Sequence, residues 1–467
     1  MKLVKSLLLG SAAGIAAMAG AQAADLPVRK AAPVDYVRVC STYGTGYFFI
    51  PGSDTCLRIS GYVQADYLYL DQEGGRNDFD DLGFRGRARI NIDARQPTEY
   101  GLLRAFMRWD VRRQTGTFVS GGEGGGGPAN SLQLPDQAYV QFGGLTAGRS
   151  QSFFDFYTFP DIFTAQGAAS DVKTQLLAYT MTFGGGLSAT LSLEDQVERR
   201  NFGTAGTLAP GGFVAPPAAF LAGVNNFTQG GFEYPDIVGN IRIDQAWGAA
   251  QLSGALHQIN PTNLFTPLGG VVQQSDDEVG FAISAGVMFK LPFLAPGDEL
   301  WLQATYADGA GGYAGFATAN NTLTALRNRQ TDAFVDAFGN VQTSEVFSVA
   351  GKLLHYWQPN LRSNFFAGYS DIDYDAGGSV FLASTTPGAP GAFVGFVDNK
   401  FWEVGANLIW TPVKQLDIGV EAVYRNFESS GNIVNATTFG PAFTPVTGRV
   451  IGDDDVIEAR LRIQRDF

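Results

Sequence analysis

The sequence predicts an all-β fold, a sixteen-stranded antiparallel transmembrane β-barrel, and three observations carry that prediction. Apolar and polar residues alternate with period two in segment after segment. Connections alternate between short and long. The arginines sit on the polar stripe. Leu82, Phe84, Gly86, Ala88, Ile90, Ile92 and Ala94 interleave with Arg85, Arg87, Arg89, Asn91, Asp93 and Arg95. At 3.6 residues per turn those arginines would scatter around a helix axis, so the segment is a strand. The next segment repeats the pattern, with Leu103, Ala105, Met107, Trp109 and Val111 on one side and Arg104, Phe106, Arg108, Asp110 and Arg112 on the other.

From the N-terminus, Lys2 and Lys5 precede an apolar run from Leu7 to about Ala21, and the small triplet Ala21-Gln22-Ala23 follows. This is the pattern of a secretory signal peptide, residues 1–23, and the run is too short to span a bilayer. Residues 24–56 form an N-terminal segment holding Cys40 and Cys56, the only two cysteines of the 467 residues. In an oxidising compartment they are expected to pair as a disulfide.

The barrel is expected over 57–467. Strands are read near 57–70, 82–95, 100–113, 134–143, 145–150, 175–184, 187–196, 232–244, 247–259, 277–290, 298–307, 344–357, 361–371, 400–411, 416–426 and 455–467. The short links include 96–99, 184–186, 358–360 and 411–414. The long ones fall near 71–81, 114–133, 151–174, 197–231, 260–276, 308–343, 372–399 and 427–454. Turns on one rim and loops on the other are what an up-and-down barrel gives, with apolar residues facing lipid and polar residues facing a lumen. Trp402 and Trp410 share a face, and at roughly 3.3 Å per residue and a tilt of about 40° they lie about 20 Å apart along the membrane normal, near the separation of two aromatic girdles. Arg465, on the outward parity of the last strand, fits only at the headgroup level.

Composition excludes several function classes. Two His and two Cys leave too few ligands for a Cys/His zinc site and little for Cys- or His-based catalysis, so no cofactor and no enzymatic activity are expected. A formal net charge of −13 argues against a nucleic-acid partner. The glycine run 121–127 lacks the Lys-Ser/Thr ending of a phosphate-binding loop. His257 and His355 have no metal-ligand spacing, and neither belongs to a nucleophile motif of the kind a barrel lipase or protease would carry. Asp453, Asp454 and Asp455 could bind a divalent cation or bridge lipopolysaccharide, but three acids in a loop are more simply a solvated face.

Several motifs, in order, resemble the general porins of alphaproteobacteria: Tyr36-Val37-Arg38-Val39-Cys40, Thr55-Cys56-Leu57-Arg58-Ile59-Ser60-Gly61-Tyr62, residues 138–149, His355-Tyr356-Trp357-Gln358-Pro359-Asn360-Leu361-Arg362, and the closing Gln464-Arg465-Asp466-Phe467. The resemblance implies an outer-membrane barrel, usually a homotrimer, with a third loop folded into the lumen and passive diffusion of ions and small hydrophilic solutes. It implies contact with outer-membrane lipid and lipopolysaccharide, and a terminal Phe467 read by the outer-membrane insertion machinery.

Nine of the 24 arginines fall between Arg76 and Arg113. Arg85, Arg87, Arg89, Arg104, Arg108 and Arg112 would form a basic wall on the inner faces of adjacent strands. So many like charges require a wet lumen and nearby carboxylates, part of which Asp93 and Asp110 can supply. The loop 151–174 carries Asp155, Asp161 and Asp171 among phenylalanines. Folded inward as the resemblance implies, it would set acids against the basic wall at the constriction.

Overall fold

The computed structural model describes residues 38–72, 80–118, 129–156, 159, 161–164, 167–201, 231–260, 277–316, 331–335, 341–374, 379–382, 392–395, 398–429, 433–435, 449–451 and 454–467. The signal-peptide segment 1–23, the glycine run 121–127 and Asp453 lie outside them. The chain divides into two units, 1–56 and 57–467.

In the first unit Cys40 and Cys56 form a disulfide and are buried with Tyr47. Val39 bridges Phe48, and the Arg38 guanidinium lies 4.3 Å over the Phe49 ring.

The second unit is a closed antiparallel barrel. Its sixteen strands are β1 (Cys56–Gln72), β2 (Leu82–Thr98), β3 (Gly101–Gly116), β4 (Ala129–Phe142), β5 (Leu145–Gln151), β6 (Lys173–Gly184), β7 (Leu187–Glu194) and β8 (Asp236–Gln245), then β9 (Gly248–Ile259), β10 (Glu278–Lys290), β11 (Glu299–Asp308), β12 (Val341–Gln358), β13 (Leu361–Tyr374), β14 (Asn399–Val413), β15 (Leu416–Ser429) and β16 (Asp454–Asp466). Each pairs with its neighbour in sequence, and β16 closes the ring on β1 from Tyr62↔Asp466 to Gln72↔Val456. Phe467 completes the seam: its N–H donates to the Gly61 carbonyl and its carbonyl accepts the Gly61 N–H, both at 3.0 Å.

Alternation decides what each face meets. On β14, Val404, Leu408 and Trp410 are exposed outward while Phe401, Glu403, Asn407 and Ile409 are buried inside. Apolar side chains outside and polar ones inside are the arrangement that lipid imposes, because no water is there to solvate a polar stripe. Trp402 faces the same outward side as Trp410 and packs 5.1 Å from Tyr424. Arg465 is exposed at the turn rim, where it donates to the Lys414 carbonyl at 3.1 Å.

Six of the seven turns on one rim are two residues long, and the seventh spans 291–298. Several sequence boundaries shift. Pro97 lies inside β2 and the turn is 99–100; the Thr98 hydroxyl accepts the Tyr100 N–H and donates to the Gly101 carbonyl at 2.7 Å, closing the turn after the proline. β4 starts at Ala129, before Pro135, because a bulge between Gln133 and Gln137 absorbs the missing proline N–H. The weakly patterned segments 145–150 and 232–244 both contain strands, β5 and β8. The loops on the opposite rim carry structure that period-two reading does not signal: a short strand over 333–335, a four-stranded sheet from 379–382, 392–395, 433–435 and 449–451, and 3-10 turns over 196–198 and 311–314.

Candidate functional site

All six arginines of the basic stripe face the lumen, and four carboxylates lie among them. Asp110 is fully buried and accepts from Arg87 at 2.6 Å, Arg89 at 3.0 Å and Arg112 at 2.9 Å. Asp93 takes Arg104 at 2.8 Å and Arg95 at 2.8 Å. Asp66 on β1 takes Arg85 at 2.6 Å and, across the barrel seam, Arg462 at 2.8 Å. The bulge in β4 turns Asp136 inward, 3.8 Å from Arg89 and 3.9 Å from Arg108. Buried guanidinium groups need such partners, since an isolated charge in a low-dielectric wall is expensive. Arginines still outnumber the acids, and Arg87, Arg89, Arg104, Arg108 and Arg112 keep part of their side chains exposed to the lumen.

The loop after β5 folds inward and crosses to the far wall. Asn240 on β8 donates to the Phe153 carbonyl at 2.6 Å, and Gln251 on β9 to the Phe154 and Asp155 carbonyls. Phe156 packs 5.2 Å from Trp301 on β11. Beyond it, Asn407 on β14 donates to the Asp161 carbonyl at 2.9 Å, and Glu421 on β15 accepts the N–H groups of Phe163 and Thr164, each at 2.8 Å. Glu403 accepts the Gly167 N–H at 2.7 Å. Arg460 and Arg462 on β16 both donate to the Phe163 carbonyl. Arg425, fully buried, joins Glu403 at 3.0 Å to Glu458 at 2.9 Å, so the carboxylates that hold the loop are themselves charge-balanced.

The three loop acids differ. Asp155 is turned into the loop's own fold: it accepts from Ser170, from the Val172 N–H at 2.8 Å and from Arg199 at 3.0 Å. Asp171 accepts from Gln151 at 3.1 Å near the start of β6. Asp161 has an open side chain, 35% exposed, 3.8 Å from Lys352. It opens on a small cavity shared with Phe163, Arg362, Asp417, Arg462 and Gln464.

A closed barrel with a charged lumen and one loop bound across its interior narrows the decision, and a family comparison completes it. The porin-subfamily family model matches residues 25–445. The chain belongs to the porin subfamily.

Among curated porins, the chain is 35% identical to porin Omp2b of Brucella suis biovar 1 and of Brucella abortus over 251 residues, and 34% identical to that of Brucella melitensis biotype 1. The match covers 53% of this chain and 64% of each relative. Among solved structures, the outer membrane channel DcaP of Acinetobacter baumannii superposes with a TM-score of 0.56 at 17% identity, over 90% of this chain and 99% of that one, a likeness of fold. The porin is accordingly a β-barrel of the outer membrane.

Sequence reading of the porin missed Glu403, Glu421 and Glu458. Each is an acid on the inward parity of one of three consecutive strands, and that recurrence is the signal that could have found them. The two histidines lie apart: His257 on β9 bonds Asp236 at 3.0 Å, and His355 on β12 bonds Asp298 at 2.6 Å. Asp455, the second residue of β16, accepts from Tyr424 and Asn426.

Proposed function

We propose that this porin is a water-filled passive diffusion channel for ions and small hydrophilic solutes, a channel rather than an enzyme, with a charged constriction between the arginines of β2 and β3 and the third loop. One observation carries the reading. The contacts of the loop fall on the inner faces of β7 to β16, while the arginine side chains of β2 and β3 stay partly exposed to the lumen. The passage then runs between a wall bearing Arg85, Arg87, Arg89, Arg104, Arg108 and Arg112 and the loop side bearing Asp161, with Asp155 and Asp171 serving the loop's own fold. Charges of opposite sign across a passage produce a transverse field, which orients dipolar solutes and disfavours apolar ones that would displace ordered water without compensation. Guanidinium holds its charge at any working pH.

The same reading includes a signal peptide over 1–23, assembly as a homotrimer, contact with lipid and lipopolysaccharide, and insertion directed by Phe467. Liposomes containing the folded protein test the channel: swelling in neutral sugars should slow with solute size and show no saturation. A folded barrel that leaves the liposomes tight to the smallest sugar would refute the channel.

A further inference from the structure

The lumen-facing residues of β3 read Arg104, Phe106, Arg108, Asp110 and Arg112, so one ring interrupts a charged stripe that faces water. Phe106 is paired in register with Tyr139 on the lumen face of β4, with ring centroids 5.2 Å apart and planes 29° from parallel. The Arg104 guanidinium lies 5.0 Å from the Phe106 centroid and 5.5 Å from that of Tyr139, and the Arg108 guanidinium lies 5.5 Å over Phe106. Both rings are half-buried, so each keeps some surface open to the lumen.

The two cations of this patch are not equally matched. Arg104 is fixed by Asp93 at 2.8 Å and by Gln141 at 3.1 Å. Arg108 donates to the Asn91 amide oxygen at 2.8 Å, while its carboxylate neighbour Asp136, 3.9 Å away, is also approached by Arg89 and Lys173 at 3.8 Å each. Asp136 stays beyond hydrogen-bond distance of Arg108, and that leaves the Arg108 guanidinium able to take an incoming anion.

We propose that Phe106, Tyr139 and Arg108, with Arg104 holding the rings in place, form a solute subsite for aromatic carboxylates on the turn side of the Arg87–Arg89–Asp110 cluster. A bound carboxylate pairs with the Arg108 guanidinium, and the attached ring covers the open ring surface of Phe106 and Tyr139, removing apolar area from water on both partners. An alkyl carboxylate satisfies only the cation and a neutral aromatic only the rings, so neither is held as well. This inference rests on the channel reading and names a solute class that the channel retains.

Benzoate, acetate and benzyl alcohol are the probes, each titrated against the KCl current of the purified protein in a planar bilayer. Benzoate should halve the current at about a tenfold lower concentration than acetate, the scale of one aromatic contact with a cation beside it, and benzyl alcohol should block no better than acetate. The readout is the benzoate-to-acetate ratio within one channel, which a general change of pore width leaves alone. Phe106→Leu should bring that ratio to within about threefold of one, and Tyr139→Leu should move it the same way should Phe106→Leu fail to fold. Equal block by benzoate and acetate, or a ratio that survives a folded Phe106→Leu or Tyr139→Leu channel, would overturn the subsite and leave the channel standing. A folded, inserted protein that passes no KCl current would overturn the channel and the subsite together.

Discussion

Glu421 on β15 accepts the backbone N–H of Phe163 at 2.8 Å, from 258 positions later in the chain. The same carboxylate takes the Thr164 N–H at 2.8 Å, so a single side chain fixes two successive amides of the loop that crosses the lumen. The opposite side of the same peptide segment is gripped by Arg460 and Arg462 at the Phe163 carbonyl.

Glu421→Ala leaves two enclosed N–H groups without acceptors, at about 1 to 3 kcal/mol each. The loop should detach from β15, so single-channel recordings should show a larger mean conductance and a broader distribution. Glu421→Gln keeps one acceptor oxygen and should fall between. A Glu421→Ala channel with ordinary conductance and noise would mean that the neighbouring anchors suffice alone.

Gly286 on β10 lets the loop approach the wall: a Cβ there would lie 2.3 Å from the Phe156 ring. Gly286→Ala should therefore destabilise the packed loop by about 1 to 3 kcal/mol, read as faster hydrogen exchange over 152–156. At Gly86 a Cβ meets nothing within 4 Å, so Gly86→Ala is the matched control and should leave exchange there as it was. Equal exchange in the two variants would contradict the close approach.

Asp332, in the segment leading to β12, is almost wholly buried, and burial pushes its carboxyl up to about 6 although His257 stands 3.9 Å away and the Asn201 and Gly311 N–H groups both donate to it. A raised carboxyl pKa favours the protonated form in the fold. Its stabilising share is therefore fully present below the ordinary value of 3.8 and is lost as pH rises through about 6. Protection of the amides in 199–201 and 311–316 should fall between pH 4 and pH 7, and Asp332→Asn should flatten that slope. An identical slope in the variant would assign the pH dependence to another group.

Much of the barrel was legible in the sequence because lipid on one side and water on the other enforce period two. That rule alone sets Arg85, Arg87, Arg89, Arg104, Arg108 and Arg112 on one face of β2 and β3. What the rule cannot carry is anything that depends on contacts across the barrel. Asp136 reaches the lumen through a bulge that sets residues 134–136 opposite Trp109 alone, a local break in an alternation that resumes at Gln137 and that only Pro135 marks. Asp155 is claimed by Arg199, a partner 44 positions away on a loop without periodicity. Glu403, Glu421 and Glu458 look like ordinary lumen acids until the loop is laid against them. The loop-rim sheet escapes for a related reason: its strands are three or four residues long, too short to show alternation.

The charged passage is the central claim, and reversal potential in a salt gradient across a planar bilayer addresses it most directly. Arg87 and Arg108 both keep lumen exposure, so Arg87→Gln and Arg108→Gln should each shift the reversal potential toward cation selectivity, with stepwise ohmic openings retained. An unaltered reversal potential in both variants would place selectivity elsewhere and contradict the account.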